Sequence, residues 1–357
     1  MRILMVKGSS FNNEVPQYSY PLGLMYMASH LRSNQPDHEI EIHDLHCHNR
    51  PYNLLKERLE KWNPHVVAIS ALKCEAESLH RIAAMSRDLN PEALILAGGP
   101  HISACTSDVV DDKNIDILVI GEGETAFPEL IRRISEGVSL SGIPGTVLKS
   151  DDEMEWGSPG ELITDLDSIP FPAWDLIEID HYARMGRAGN TRRGRYLPIF
   201  TSRGCSYLCC YCHNVFGKRY RYRSAENVVE KIRQIVERFG VTDIEIFDDA
   251  FNFNHDRAKT ICRMLLELDL GLSIAFPNGV RADHLDYELV DLLAGIGTTN
   301  MEVGVETASP ELQKAIGKNL DLETAKKAIT LADKAGIVTS GYFMLGFPGE
   351  TREQMIH

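Results

Sequence analysis

Four of the eight cysteines fall inside one short stretch, Arg203-Gly-Cys-Ser-Tyr-Leu-Cys-Cys-Tyr-Cys-His213. Cys205, Cys209 and Cys212 stand in C-x3-C-x2-C spacing, directly after an apolar run, with Gly204 where the backbone must turn sharply. Such a cluster in a chain without a secretory signal points to metal rather than to disulfides. Three thiolates on one loop can hold three irons of a 4Fe-4S cube and leave the fourth iron without a protein ligand. A closed zinc site is the other reading, with His213 or Cys210 as fourth ligand. An open iron can chelate the amino and carboxylate groups of S-adenosylmethionine (SAM) and pass it an electron. That electron cleaves a sulfonium C–S bond and releases a 5′-deoxyadenosyl radical, chemistry that belongs to the cofactors while the protein supplies ligation and orientation.

The elements that must carry this loop read as a βα series. YLPIFTSR, DIEIFDD, LSIAFPNG, TTNMEVGVE and IVTSGYFMLGF have the character of strands, separated by helical patterns such as AENVVEKIRQIVERF and LETAKKAITLADKA. The cysteine loop follows the first strand. Asp248-Asp249 ends the second, where an acidic pair serves either as a helix N-cap or as an acceptor for a cation. Arg281 follows the third and is either a carboxylate partner or a surface residue; Glu302 and Glu306 flank the fourth; Gly346 and Pro348 shape the end of the fifth. The chain stops at His357, where the next helix has barely begun, so a partial barrel truncated at its C-terminus is expected.

With Tyr211 as the aromatic residue before the last thiol, the cysteine motif resembles the CxxxCxΦC hallmark of the radical SAM superfamily. The resemblance implies that Cys205, Cys209 and Cys212 ligate iron. It places SAM contacts at Tyr211, at Asp248 or Asp249 (in place of the superfamily's Gly-Gly-Glu element for the methionyl amino group), at Arg281, and at Glu302. It adds Glu306, whose Glu-Thr-Ala-Ser resembles the family's Glu-Ser-Gly-Ser, and Gly346, near the adenine. In a parallel barrel all these positions lie at the C-terminal edge, where active sites are built.

From Arg2 to about Ser135, RILMV, IEIHDL, HVVAIS, ALILAGG and IDILVIG alternate with helix-length segments, the pattern of a doubly wound, flavodoxin-like α/β domain. The expected division is residues 1–137 for this domain, 138–195 for a linker and 196–357 for the partial barrel. The strand ends carry Gly8-Ser9-Ser10, Asp44, Ser70-Ala71-Leu72, Gly98-Gly99-Pro100-His101 and Gly121-Glu122-Gly123-Glu124. None is the dinucleotide G-x-G-x-x-G, which argues against NAD. Preceding a radical SAM core, YPLGLMYMASHL, GGPH and GEGE resemble the cobalamin-binding domain of that superfamily's cobalamin-dependent branch. The resemblance implies cobalamin at Gly8, Ser9, Ser10, Ser70, Leu72, Gly98, Gly99, His101, Gly121, Glu122 and Glu124. The DxHxxG motif that supplies a cobalt-ligating histidine elsewhere is absent: Asp44-Leu-His46 imitates its start, but Asn49 replaces the glycine. His46, His48 and His101 are each either loop residues or ligands.

Composition bounds the rest. The 357 residues are 43% hydrophobic and 25% charged, which suits two globular domains. The balance of 37 Lys+Arg against 51 Asp+Glu gives −14, which disfavours nucleic acid and anionic membrane as partners. No run approaches the roughly 20 apolar residues that span a bilayer, and a cytoplasmic protein is expected. The basic stretch from Arg184 to Arg195 is either a solvated loop or an anion contact.

The reading is a cobalamin-dependent radical SAM enzyme that methylates an unactivated carbon of a small molecule through methylcobalamin and a 5′-deoxyadenosyl radical, with flavodoxin or ferredoxin as electron donor. Ring formation or rearrangement is an alternative within the same branch. Cys47, Cys74 and Cys105 follow three successive strands, so a methylthiotransferase-like enzyme with a second iron-sulfur cluster is a further reading, as is a non-catalytic cofactor-binding protein.

Overall fold

The computed structural model describes residues 1–10, 19–48, 50–150, 153–185 and 194–356. The chain divides into two compact units, Met1–Thr164 with Ser168–Thr191 and Asp165–Asp167 with Arg192–His357.

In the first unit, β1 (Arg2–Lys7), β2 (Glu39–Asp44), β3 (Val66–Ser70), β4 (Leu94–Gly98) and β5 (Ile117–Val119) form a parallel sheet. The order β2-β1-β3-β4-β5 is flavodoxin-like. Strands this uninterruptedly apolar are stable only when both faces are covered, and the alternation of side chains divides them between two cores. Leu4, Val6, Val67, Ile69 and Ile95 pack on one side with Leu55, Leu79 and Ile82 from the helices Pro51–Trp62 and Ala76–Leu89. Ile3, Met5, Val66, Ala68 and Leu96 pack on the other with Leu24, Leu31, Phe127 and Leu130 from the helices Leu22–Asn34 and Gly123–Glu136. Because β1 lies between β2 and β3, the connections diverge there and open a crevice beyond the carboxyl ends of β1 and β3.

The stretch read from sequence as linker behaves differently. Two short strands in it, β6 (Thr146–Lys149) and β7 (Met154–Trp156), extend the same sheet by antiparallel pairing with β5 and with each other. Further along it, Ala173, Trp174 and Tyr182 are buried. Short edge strands with polar and glycine flanks carry no periodic signal, and their pairing depends on an edge supplied by distant sequence.

A buried polar hub closes the ends of β1 and β2. Lys7 and Asp44 are register partners, and their charges lie 3.5 Å apart. Lys7 Nζ donates to Ser19 O at 2.6 Å; Asp44 accepts from Tyr182 OH at 2.7 Å and from His46 N at 3.0 Å. Burial by itself would raise the Asp44 carboxyl, but Lys7 and these donors hold it below its ordinary value.

The second unit holds β8 (Tyr196–Ile199), the two-residue pair β9 (Ser202–Arg203) and β10 (Arg221–Tyr222), β11 (Asp243–Ile246), β12 (Ser273–Val280), β13 (Thr298–Glu306) and β14 (Val338–Phe343). The sheet runs β14-β13-β12-β11-β8, all parallel, with chain neighbours adjacent, as in a section of a βα barrel. The helices Ala225–Phe239, His255–Leu268, Tyr287–Gly295 and Leu322–Lys334 make the returns. Along β13, Met301, Val303 and Val305 are buried on one face, which leaves Asn300, Glu302 and Gly304 on the other. No helix among the described residues is long and apolar enough to cross a membrane.

The hub predicts a pH signature. The folded chain holds Asp44 below the unfolded value of about 3.9, so its contribution is complete above that value and is lost as pH falls through the folded one. Asp44→Asn is expected to lower stability at pH 7 by about 3 kcal/mol. That deficit should shrink towards zero in strongly acidic buffer, as read from urea unfolding across pH.

Candidate cluster and cofactor sites

The cysteine loop leaves the edge strand β8 and is closed at its base by β9 pairing with β10, Ser202 opposite Tyr222 and Arg203 opposite Arg221. Gly204 begins it at φ +77°, and a Cβ there would lie 2.5 Å from Arg219 O and 2.9 Å from Phe216 O, so the crossing strands of the loop admit only glycine. Within the loop Cys210 N donates to Ile316 O at 2.9 Å and Cys212 N to Cys209 O at 3.2 Å. The backbone is thereby held while the three motif thiols stay partly open, Cys205 and Cys209 half-buried and Cys212 exposed.

Burial pushes the Cys205 and Cys212 thiols up, and the neighbouring thiols push the same way. An iron cluster would relieve that mutual repulsion by taking the thiolates as ligands. The three sulfurs do not all come within 4.8 Å of one another, whereas thiolates on one zinc ion sit about 3.8 Å apart. The zinc alternative also lacks its extra ligand: His213 faces Asp249 at 3.3 Å, which raises its pKa, and Cys210 is exposed. The donor set therefore fits a cube with one open iron.

Asp248 is buried (1% exposed) and turned away from the strand edge. It accepts from Thr201 N at 2.6 Å, from Thr201 Oγ1, and from Ser202 Oγ at 2.7 Å. Burial pushes its carboxyl up against the pull of Arg257. Arg257 grips the same residue from the other side, donating to Thr201 O at 2.7 Å and to Arg223 O at 2.7 Å. Asp248 thus positions the turn that launches the cysteine loop, and Asp249, half-buried beside His213, is the member of the pair left at the edge. Arg281 is likewise engaged locally: it forks onto Asp283 at 2.8 and 3.0 Å, donates to Asn319 O at 3.2 Å, and lies 3.8 Å over the Tyr207 ring.

Glu302 presents the opposite situation, and Glu306 a third. Glu302 Oε2 is buried without a hydrogen-bond partner, and burial raises the carboxyl against the opposing pull of the Ser340 hydroxyl. Glu306 ends β13 in the left-handed region at φ +69°, a strained setting for a side-chain-bearing residue that commonly marks functional positions. Its carboxylate lies 3.5 Å from Lys318 Nζ and accepts the Tyr211 hydroxyl. Burial, together with Glu306 and Cys209, pushes that phenol up. Gly304 makes the arrangement possible, since a Cβ there would sit 2.7 Å from Lys318 Nζ and 2.8 Å from Glu306 Oε1. Gly346 donates to Glu350 at 2.6 Å with φ +88°, and Phe347 beside it lies 6.1 Å from the Tyr211 ring. Tyr211, Glu306, Lys318 and Phe347 are therefore gathered at one place. Lys318 and the Thr201 and Ser202 hydroxyls were not legible in the sequence, because nothing in Gly317-Lys318 or Thr201-Ser202 is periodic or motif-like.

In the first unit the crevice is lined by backbone and small residues. Gly8 N donates to Ser70 O at 3.1 Å and Ala71 N to Gly98 O at 3.3 Å, which stitches the ends of β1, β3 and β4 together. Gly99, at φ +95°, would place a Cβ 2.6 Å from Ser70 Oγ. Ser9 N binds Ser78 Oγ at 3.0 Å, Ser10 N binds His46 Nε2 at 3.2 Å, and Gly121 N binds Ser103 Oγ at 2.9 Å. Leu72 is exposed above them. Such an edge of backbone and small residues leaves room for a large planar group to approach closely, and so fits a corrin.

Three expected contacts turn inward instead. Glu122 accepts from Ile163 N at 3.1 Å, Glu124 is buried near His30, and His101 is buried. Among the scattered cysteines, Cys47 is buried with its thiol pushed up to about 12, Cys74 is exposed, and Cys105 lies 3.3 Å from Lys73 Nζ. Most of the basic stretch that starts at Arg184, including Arg187, Arg192 and Arg193, lies outside the described residues.

Comparison with known proteins agrees with both halves. Residues 199–357 match the Radical SAM superfamily and residues 8–131 the B12 binding domain. An uncharacterised methyltransferase of Pyrococcus horikoshii is 30% identical over 361 residues, covering 99% of this chain and 76% of the relative. The cytidylyl-2-hydroxyethylphosphonate methyltransferase of Streptomyces wedmorensis is 27% identical, covering 99% and 75%. Among solved structures, the radical S-adenosylmethionine methyltransferase TsrM from Kitasatospora setae, with tryptophan and a SAM analogue bound, superimposes with a TM-score of 0.80. The identity is 23%, with 99% of this chain and 69% of that one covered, a likeness of fold.

The Asp248 contacts make a specific prediction. Thr201→Val removes one hydroxyl donor and leaves a buried carboxylate under-satisfied, at an expected cost of about 1–3 kcal/mol. Urea unfolding and iron retention after reconstitution should both decline; a variant unchanged in both would mean that Asp248 does not hold the loop.

Proposed function

This chain belongs to the cobalamin-binding branch of the radical SAM superfamily, and from that membership we propose that it transfers a methyl group to an unactivated carbon of a small molecule. The observation that carries the reading is the three-thiol loop and the cobalamin-type sheet edge occurring in one chain, aligned along 99% of its length with methyltransferases.

Cys205, Cys209 and Cys212 would hold three irons of the cube. When bound, the cluster supplies the electron that cleaves SAM, and the cobalamin supplies a methyl carrier. The chain's own residues bind, orient and keep the site dry. Glu302, with its unpartnered oxygen, is the carboxylate available for an ammonium or hydroxyl group of SAM. Glu306, kept in place by Lys318 and Tyr211, offers a second oxygen at the strand end. Asp249 stands where Asp248 does not reach, and Gly346, where a Cβ would meet nothing within 4 Å, leaves open space beside Phe347. In the first unit Gly8, Ser9, Ser10, Ser70, Leu72, Gly98, Gly99 and Gly121 form the edge on which a corrin would lie. Tyr211 and Phe347 present aromatic surface that would help to keep water from the site, as radical chemistry requires. The electron would come from a flavodoxin or ferredoxin in the reducing cytoplasm.

Anaerobic reconstitution with iron, sulfide and hydroxocobalamin, followed by gel filtration, is expected to leave about four irons and near-stoichiometric cobalamin on each chain. About eight irons without cobalamin would overturn the reading in favour of a two-cluster enzyme. In the loaded enzyme Glu302→Gln should raise the KM for SAM in 5′-deoxyadenosine formation about tenfold, equivalent to roughly 1.4 kcal/mol, with iron content unchanged. Cys209→Ala should abolish the cluster absorption.

A further inference from the structure

A second donor set lies in the first unit, apart from the three motif thiols. His101 follows the Gly99-Pro100 turn, the short helix Pro100–Ala104 carries the chain to Cys105, and the turn Thr106–Asp108 carries it to Asp108. One ligand atom from each of these three side chains, a ring nitrogen, a sulfur and a carboxylate oxygen, lies within 4.8 Å of the other two.

The imidazole points to a missing ligand. His101 is only 1% exposed, and neither of its ring nitrogens has a hydrogen-bond partner. A buried ring with both nitrogens unsatisfied is rare, because each has lost its water without compensation. A ring nitrogen with a free lone pair is what histidine offers a metal.

The other two donors already attract a cation. Lys73 Nζ lies 3.3 Å from Cys105 Sγ and 2.7 Å from Asp108 Oδ2. The lysine side chain is 67% exposed and can withdraw into solvent without leaving a cavity. The nearby His80 is taken up by Asp112, at 2.6 Å, and does not compete.

We propose that His101, Cys105 and Asp108 form a binding site for one divalent transition-metal ion of the zinc class. One nitrogen, one sulfur and one oxygen suit a borderline-soft ion, whereas calcium and magnesium select oxygen alone. Tetrahedral coordination needs donors about 3.5 Å apart, a contraction that the half-buried Cys105 and the exposed Asp108 can make around a fixed imidazole. Binding releases the Cys105 proton to solvent, displaces the Lys73 ammonium, and leaves a fourth position for water. The site ties the β4 turn to the segment after it. It removes His101 from the candidate cobalt ligands and Cys105 from a second iron-sulfur cluster, and it does not depend on the methyltransferase reading.

The test uses the cluster- and cobalamin-loaded enzyme, supplied anaerobically with one equivalent of Zn²⁺ and desalted. Zinc is quantified, and its coordination is read by zinc K-edge X-ray absorption, which iron and cobalt do not obscure. About one zinc per chain is expected, with a single sulfur in a shell otherwise of nitrogen and oxygen. Cys105→Ser should remove the sulfur scatterer and weaken retention about 10- to 100-fold, and Asp108→Asn should weaken it about tenfold, with iron and cobalamin contents unchanged in both. Both positions lie towards the surface, so these variants remain informative if His101→Ala does not fold. The proposal is overturned by zinc at background level, by a Cys105→Ser protein with unchanged zinc content and shell, or by a shell of several sulfurs that disappears in Cys209→Ala.

Discussion

A buried carboxylate that never reaches the strand edge governs the second unit. Asp248 accepts the backbone and hydroxyl of Thr201 and the hydroxyl of Ser202, while Arg257 holds the carbonyl of the same Thr201. The chain is thus clamped one turn before Gly204, where it enters the cysteine loop. Three thiols can meet three irons only if the loop base is rigid, since each freely rotating backbone bond would have to be ordered when the cluster binds. Burying a carboxylate is unfavourable unless it is hydrogen-bonded and paired, and here the donors and the arginine make it so.

Neighbouring acidic residues in this unit consequently have different physical lives. Asp248 and Asp249 are adjacent in sequence, but consecutive residues leave a strand end in opposite directions, and one becomes structural while the other stays half-open. Glu302 and Glu306 share a face of β13, yet Glu302 keeps an unpartnered oxygen while Glu306 is drawn to Lys318 and Tyr211. The strained backbone of Glu306 and the missing side chain of Gly304 belong together: the first aims the carboxylate and the second leaves the space it occupies. Arg281 shows the converse, a cation at a strand end whose hydrogen bonds are used within its own turn.

In the first unit the analogous constraint is the divergence of connections beside β1. It opens the crevice, and the Lys7–Asp44 pair with Tyr182 seals the neighbouring ends of β1 and β2. The small residues at the ends of β3 and β4 are needed for close packing of the turns as much as for any ligand, as the 2.6 Å approach of a Gly99 Cβ to Ser70 demonstrates. Conserving space for backbone and offering backbone to a planar cofactor are two consequences of the same absence of side chain.

Much of this was legible before any coordinates. The ten parallel strands among the described residues were readable because strands covered on both faces must be continuous apolar runs, and the cysteine motif because three thiols in that spacing on one loop have few uses other than holding a metal. Strands β6 and β7 escaped because their stability lies in an edge made by distant residues rather than in their own pattern. The sequence by itself determined which elements form, their order, and which loops carry donors, since these follow from local periodicity and residue chemistry. Only the tertiary structure decided which carboxylates are open, which histidine is buried without a partner, and that Lys318 lies beside Glu306. Those outcomes depend on burial and on partners far apart in the chain, and neither is encoded at the residue itself.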